Sequence, residues 1–157
     1  SCVHAWYKSP YGTSKKVNEA TAYTTPFGIN NQVGLRFTTV YGEGSRKTMF
    51  MGKLMRGELE YATNHVRDFI HVSDVVNAIM IFINTGTKGK LPAYNVGTGT
   101  GHIVSKLAQL KKPDIEIREG HECEALDNTA DNSDLRALGW EPKINARGYL
   151  QNDGNVL

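Results

Sequence analysis
The chain has 157 residues, 39% hydrophobic and 22% charged, with a formal net charge of +2. That balance suits one folded domain of common size and excludes a disordered chain. Basic residues are scattered, so no electrostatic footprint for nucleic acid is present. The longest apolar run, 75–83, is too short to cross a bilayer and is broken by Asn77.

Ser9 followed by Pro10 opens a helix, since the Ser hydroxyl accepts a bond from a free N–H and proline fits the first helical position. Tyr11 falls in its first turn, and Pro26 with Gly28 ends it after about Thr24 or Thr25. QVGLRFTTVYG, 32–42, alternates through Val33, Leu35, Phe37, Thr39 and Tyr41 and reads as a strand leading into a loop. TMFMGKLMR, 48–56, predicts a short amphipathic helix, and ELEYAT a small strand after Gly57. RDFIHV, 67–72, is a further strand, after which Ser73-Asp74 caps a helix that stops at Gly86. LPAYNVGTG then reads as strand, 103–111 as helix, IEIRE as strand, and SDLRALGW as a short helix before a Gly-Trp-Glu-Pro turn. Alternation of strands and helices predicts a layered α/β architecture with too few strands for a complete doubly wound sheet. No repeat or low-complexity tract is found.

Cys2 and Cys123 lie far apart, and a chain of this size builds its core without a disulfide, so reduced thiols are expected. SCVHAWYKSPYG at the start has no basic stretch followed by an apolar run, so it does not read as a secretory leader, and a cytoplasmic protein is expected. There is no initiator Met, and the first element begins at once at Ser9-Pro10. The sequence reads as though entered in its middle.

Positions i and i+4 share a helix face, so Tyr11 and Lys15 point the same way. A phenol in water ionises near pH 10 and is almost wholly protonated at neutrality. A cation one turn away and the positive end of a helix both favour the anionic form, which can take a proton. The same spacing also arises on ordinary helices, with Tyr partly packed and Lys solvated.

Context separates these alternatives. SPYGTSKKVNE, 9–19, resembles the catalytic helix of the extended short-chain dehydrogenase/reductases, the NAD-dependent nucleotide-sugar epimerases and dehydratases, whose motif is Ser-Pro-Tyr-Gly-x-Ser-Lys. VGLRFTTVYGEG at 33–44, VRDFIHVSDVVNAI at 66–79, YNVGTG at 94–99 and TADNSDLRALGWEP at 129–142 follow in the family's order. Together they have the flavour of UDP-sugar 4-epimerases.

The resemblance implies a partial Rossmann-like, doubly wound sheet with the smaller α/β substrate-binding region, residues 1–157 forming the C-terminal portion and the dinucleotide-binding half lying elsewhere. It implies Tyr11 as acid/base and Lys15 as the group holding the nicotinamide ribose, both at the NAD site. It also implies Thr39 facing substrate and Arg67 gripping the nucleotide diphosphate. On the residues alone, Thr39 equally fills a strand and Arg67 forms a surface ion pair. The implied partners are a UDP-sugar and a second copy of the chain, with no nucleic acid and no membrane. The NAD site is expected to be incomplete, and the isolated residues inactive. A degenerate relative serving as a binding or dimerisation module is the rival expectation.

Three departures qualify the resemblance. GTGTGH, 97–102, has His102 where a third phosphate-binding glycine would stand, and it matches the family's late YNVGxG turn, so a structural role is read. The Ser/Thr that the family places upstream of the tyrosine has no counterpart here, because Ser9 is better used as the helix cap. HECEAL, 121–126, puts Leu126 where relatives carry a phosphate-binding arginine. His121, Cys123, His65 and His71 lack the paired spacing of a metal site, and no metal is assigned. His71 is read as packing, Asn95 as supporting its loop.

Overall fold
The computed structural model describes residues 6–24, 32–85 and 93–155. Cys2, Pro26, Gly28 and Gly86, named above, lie outside them. A 3-10 turn at Trp6–Lys8 leads into helix α1, Pro10–Thr24. The expected cap forms: Ser9 Oγ accepts from the Gly12 N–H at 3.0 Å.

The expected strand 32–42 is two strands, β1 Gly34–Phe37 and β2 Thr39–Tyr41. They run on either side of Thr38, where the chain changes partner. β1 pairs in parallel with β5, Ala93–Val96, and the Thr38 N–H still donates to Val96 at 3.1 Å. From Thr39 onward β2 pairs in parallel with β4, Val66–His71, whose other edge takes the antiparallel β6, Gly101–Ile103. A separate parallel pair joins β3, Tyr61–Thr63, to β7, Glu116–Arg118. Short helices α2 Phe50–Met55, α4 Val104–Ala108, α5 Ser133–Arg136 and α6 Ala146–Gln151 complete the fold, with the longer α3, Val72–Thr85.

Strand alternation divides the interior. Phe69 and Tyr41 enter one core with Met51, Leu54, Leu107 and Leu150, whereas Ile70 enters another with Val75, Ala78, Val96, Leu135 and Trp140. α3 buries Val75 and Ala78 in this second core and sets Phe82 against Tyr94 with ring centroids 5.1 Å apart.

Two expectations change. α3 begins at Val72 directly after β4, and it is the His71 ring, through Nδ1, that accepts the Ser73 N–H at 3.2 Å. The Asp74 carboxylate does not cap the helix: it accepts from the Lys143 and Ile144 N–H groups, both at 3.0 Å, while its carbonyl accepts from Trp140 Nε1. Asp74 therefore ties the late segment to α3. Elements absent from the sequence reading are β6 and α6, the latter capped by Asn145 through Arg147 and Gly148 N–H groups. Among the described residues no helix is long and apolar enough to cross a membrane.

Candidate functional site
Tyr11 and Lys15 lie on one face of α1, with Lys15 Nζ 5.2 Å from the centroid of the Tyr11 ring. Tyr11 is 60% exposed, so its hydroxyl is not sealed in the interior. Both side chains line a groove of about 520 Å³ between α1 and β1, together with Asn18, Arg36 and Thr38. Arg36 crosses this groove to Glu19, donating Nε to Oε2 at 2.8 Å and Nη2 to Oε1 at 2.5 Å. That bond raises the Arg36 pKa further, while burial, then Glu19, pushes the Tyr23 hydroxyl up.

Thr39 and Arg67 meet in a different cavity, of about 410 Å³, with Lys53, Tyr61, Phe69 and Glu124. The strand junction connects the two hollows: Thr38 lines the first and Thr39 the second. Thr39 Oγ1 takes a long 3.4 Å bond from Asn128 Nδ2. Arg67 donates Nη1 to the Val66 and Ala125 carbonyls at 2.9 and 2.7 Å, and Nη2 to Glu124 Oε2 at 2.7 Å. His65 Nδ1 stands 3.1 Å from the same carboxylate oxygen. The ion pair expected as the alternative for Arg67 is thus present, yet its guanidinium is mostly buried and faces the cavity.

The sequence reading passed over the residues that build this wall. Glu124 lies in the HECEAL loop, which was weighed for its missing arginine; Leu126 there is 74% exposed. Asp68 is fully buried and accepts from Thr98 N–H, Thr98 Oγ1, Gly99 N–H and Ala130 N–H at 2.9, 2.6, 3.0 and 3.2 Å. Its neighbour Arg67 is thereby held on a fixed strand. A carboxylate between two residues of RDF was the available signal, since a charge there must be buried or exposed by strand alternation.

The glycine turn 97–101 closes on this carboxylate. A Cβ on Gly97 would stand 2.6 Å from Asp68 Oδ2 and 2.6 Å from Thr38 Cγ2, and Gly99 sits at φ +76°. Its N–H groups are engaged inside the chain, in keeping with the structural role read for it. Asn95 Nδ2 donates to the Asp131 carbonyl at 3.0 Å. Among the described residues no group of three His, Cys, Asp or Glu side chains is placed to hold a metal ion. Cys123 is an exposed free thiol.

A dinucleotide fits only in part. The groove offers a phenol, an ammonium and mixed walls suited to a ribose and its attached ring. No described glycine turn opening a helix is left for a pyrophosphate. When bound, NAD supplies a hydride acceptor.

The parallel β1–β5 pair covered by α3 belongs to the Rossmann-like α/β class. The sequence model of the NAD dependent epimerase/dehydratase family matches residues 6–97, and the chain belongs to that family. It is 27% identical to UDP-glucuronic acid decarboxylase 5 of Arabidopsis thaliana over 91% of this chain and 46% of the relative. To CDP-abequose synthase of Salmonella typhimurium it is 29% identical over 76% of this chain and 46% of the relative. The solved structure of MoeE5 in complex with UDP-glucose and NAD superimposes with a TM-score of 0.74 at 31% identity, over 92% of this chain and 54% of that one. The chain spans about half the length of the curated relatives it matches.

Proposed function
We propose that these residues serve an NAD-dependent nucleotide-sugar epimerase or dehydratase, most like a UDP-sugar 4-epimerase, working at the sugar C4 hydroxyl. The observation that carries this reading is the Tyr11–Lys15 pair, on one helix face and in one groove, in a member of this family. Tyr11 Oη takes the C4 hydroxyl proton as C4 is oxidised, and returns it when the transient keto sugar is reduced or rearranged. The Lys15 ammonium, beside the Tyr11 ring, holds ribose hydroxyls. Arg67 receives the diphosphate, which takes the place of Glu124 on Nη2, and Thr39 offers its hydroxyl at the junction between groove and cavity. The UDP-glucose and NAD held by MoeE5 support the substrate class.

In the full-length protein, Tyr11→Phe is expected to lower kcat by about 100-fold or more while UDP-sugar affinity stays within about threefold. Titration calorimetry with a UDP-sugar should show binding that Arg67→Ala abolishes. An unchanged titration in that variant removes the assignment of the nucleotide cavity. The isolated 157 residues, lacking a described pyrophosphate turn, are expected to show no turnover with UDP-sugar and NAD.

A second reading rests on the exposed side chains of Tyr7 in the 3-10 turn and of Tyr11, Val17 and Tyr23 on α1. Exposed apolar side chains of this kind suit self-association, as in a dimerisation module that has lost catalysis. Concentration-dependent association without any nucleotide titration would favour it.

A further inference from the structure
Phe69, which lines the Arg67 cavity, also lines a smaller hollow of about 180 Å³ walled by Thr98, Thr100, His102, Arg136 and Lys143. Arg136 is anchored at one edge. Its Nε donates to Asn132 Oδ1 at 3.0 Å, and the buried Asn132 in turn donates Nδ2 to the Gly97 carbonyl at 2.8 Å. The two terminal guanidinium nitrogens have no hydrogen-bond acceptor among the described residues; Glu141 Oε1, on an exposed side chain, stands 3.8 Å off. Lys143 is fixed through its backbone N–H on Asp74, yet its ammonium has no partner among the described residues. The Thr100 hydroxyl and the His102 ring are likewise unpaired among them, and Arg147 adds positive charge beside His102. No carboxylate is among the described residues that line the hollow; Asp68, behind Thr98, already accepts four bonds.

An anchored guanidinium fork, a free ammonium and spare hydrogen-bond donors around one small hollow match a tetrahedral oxyanion. The volume is roughly six times the share of one liquid water and well below that of a nucleotide-sized site, so it selects a small group. We propose that this hollow is a second anion site that binds a phosphate group between Arg136 and Lys143, separate from Arg67 and from the Tyr11 groove. Inorganic phosphate and the phosphate of a small ester present the same chemistry.

The test is calorimetric titration of the full chain at low salt with inorganic phosphate and, in parallel, with glycerol 3-phosphate. Saturable binding is expected, weakened about tenfold or more by Lys143→Gln and by Arg136→Gln. The remote charge control Lys111→Gln should bind within about twofold of the parent. Stronger binding of phosphate identifies the free ion as the ligand; stronger binding of the ester identifies a phosphorylated metabolite. Because Arg136 also touches Asn132, circular dichroism and the unfolding midpoint must match the parent for that variant, and Lys143→Gln, which removes no side-chain bond, carries the result if they do not. Absence of saturation up to about 10 mM, or equal binding by Lys143→Gln and the parent, overturns the proposal. Loss in Arg67→Ala alone also overturns it, while leaving the nucleotide cavity as the phosphate site.

Discussion
The helix bearing Tyr11 and the strand bearing Arg67 are held by different means. α1 has one buried residue, Gly12, and is tied by its Ser9 cap and by the Glu19–Arg36 bridge. In β4, Asp68, Phe69, Ile70 and His71 are all buried, and the strand is paired on both edges. Burial of apolar surface is the dominant stabilising term, so β4 belongs to the cooperative unit and α1 to a locally weak one. Substrate recognition, if it uses Arg67, rests on a preorganised frame. The helix bearing Tyr11 relies on a few polar bonds.

Removing Asp68 should disturb this contrast most. Asp68→Ala leaves four donors facing a hole with no acceptor, and about 4 kcal/mol of stability is expected to be lost. The shift of the urea midpoint, followed by circular dichroism, measures it; a loss under about 1 kcal/mol would mean that water replaces the carboxylate there. Next comes Leu135→Ala. α5 spans only Ser133–Arg136, too short to persist by propensity, and Leu135 is fully buried in the second core. A cost of about 3 kcal/mol is expected by the same measurement, and α5 amides should exchange as fast as the loop if the residue is its only anchor.

The parts of this contrast readable in the sequence were those with a local cause. Ser9-Pro10 fixes a helix start wherever the chain lies, and the apolar run at 75–83 needs an interior in any fold. β6 escaped because Gly101 brings no side chain and its three residues are strand only by pairing with β4. α6 escaped because Gly148 interrupts a short pattern whose stability comes from burying Ala146 and Leu150. Asp74 was misread for a related reason: an Asp in a first helical turn is ordinarily local, whereas here its partners are Lys143 and Ile144. Spacing puts Tyr11 and Lys15 on one helix face, and it is the resemblance of SPYGTSKKVNE to a family motif that singles them out. Glu124 reaches Arg67 from 57 residues away, and no local pattern encodes that meeting.

On α1 the expected effects are smaller and local. Ser9→Ala removes the acceptor for the Gly12 N–H and should cost about 1 kcal/mol, seen as faster hydrogen exchange in the first turn with β4 amides unaffected. Arg36→Met keeps the aliphatic stem but cuts the bridge to Glu19, and a loss of about 0.5–1 kcal/mol is expected, again confined to α1. Were β4 protection to fall equally in either variant, the two regions would form one cooperative unit and the contrast would be wrong.

The smallest expected effect is a dependence on pH that belongs to the β4 side. Burial holds the His71 pKa below its ordinary value, against opposing pulls from Asp74 and Glu43. Its Nδ1 is already an acceptor for the Ser73 N–H, so the neutral ring is the one in use. With the folded pKa below the unfolded one, the unfolded chain binds the proton more readily as the medium is acidified. The His71 contribution is therefore fully present above about pH 6.5 and is lost as pH falls through the folded value. His102, lowered by burial as well, acts in the same direction. Asp127 and Asp131 are held below the usual carboxylate range by bonds from Thr129 and Ser133, so they stay ionised across this window. Urea midpoints at about pH 7.5 and pH 5 should fall more for the parent than for His71→Phe, whose ring still packs between Tyr41 and Tyr149. An equal fall in both would place the titrating group elsewhere, leaving His71 a packing residue with no part in the pH response.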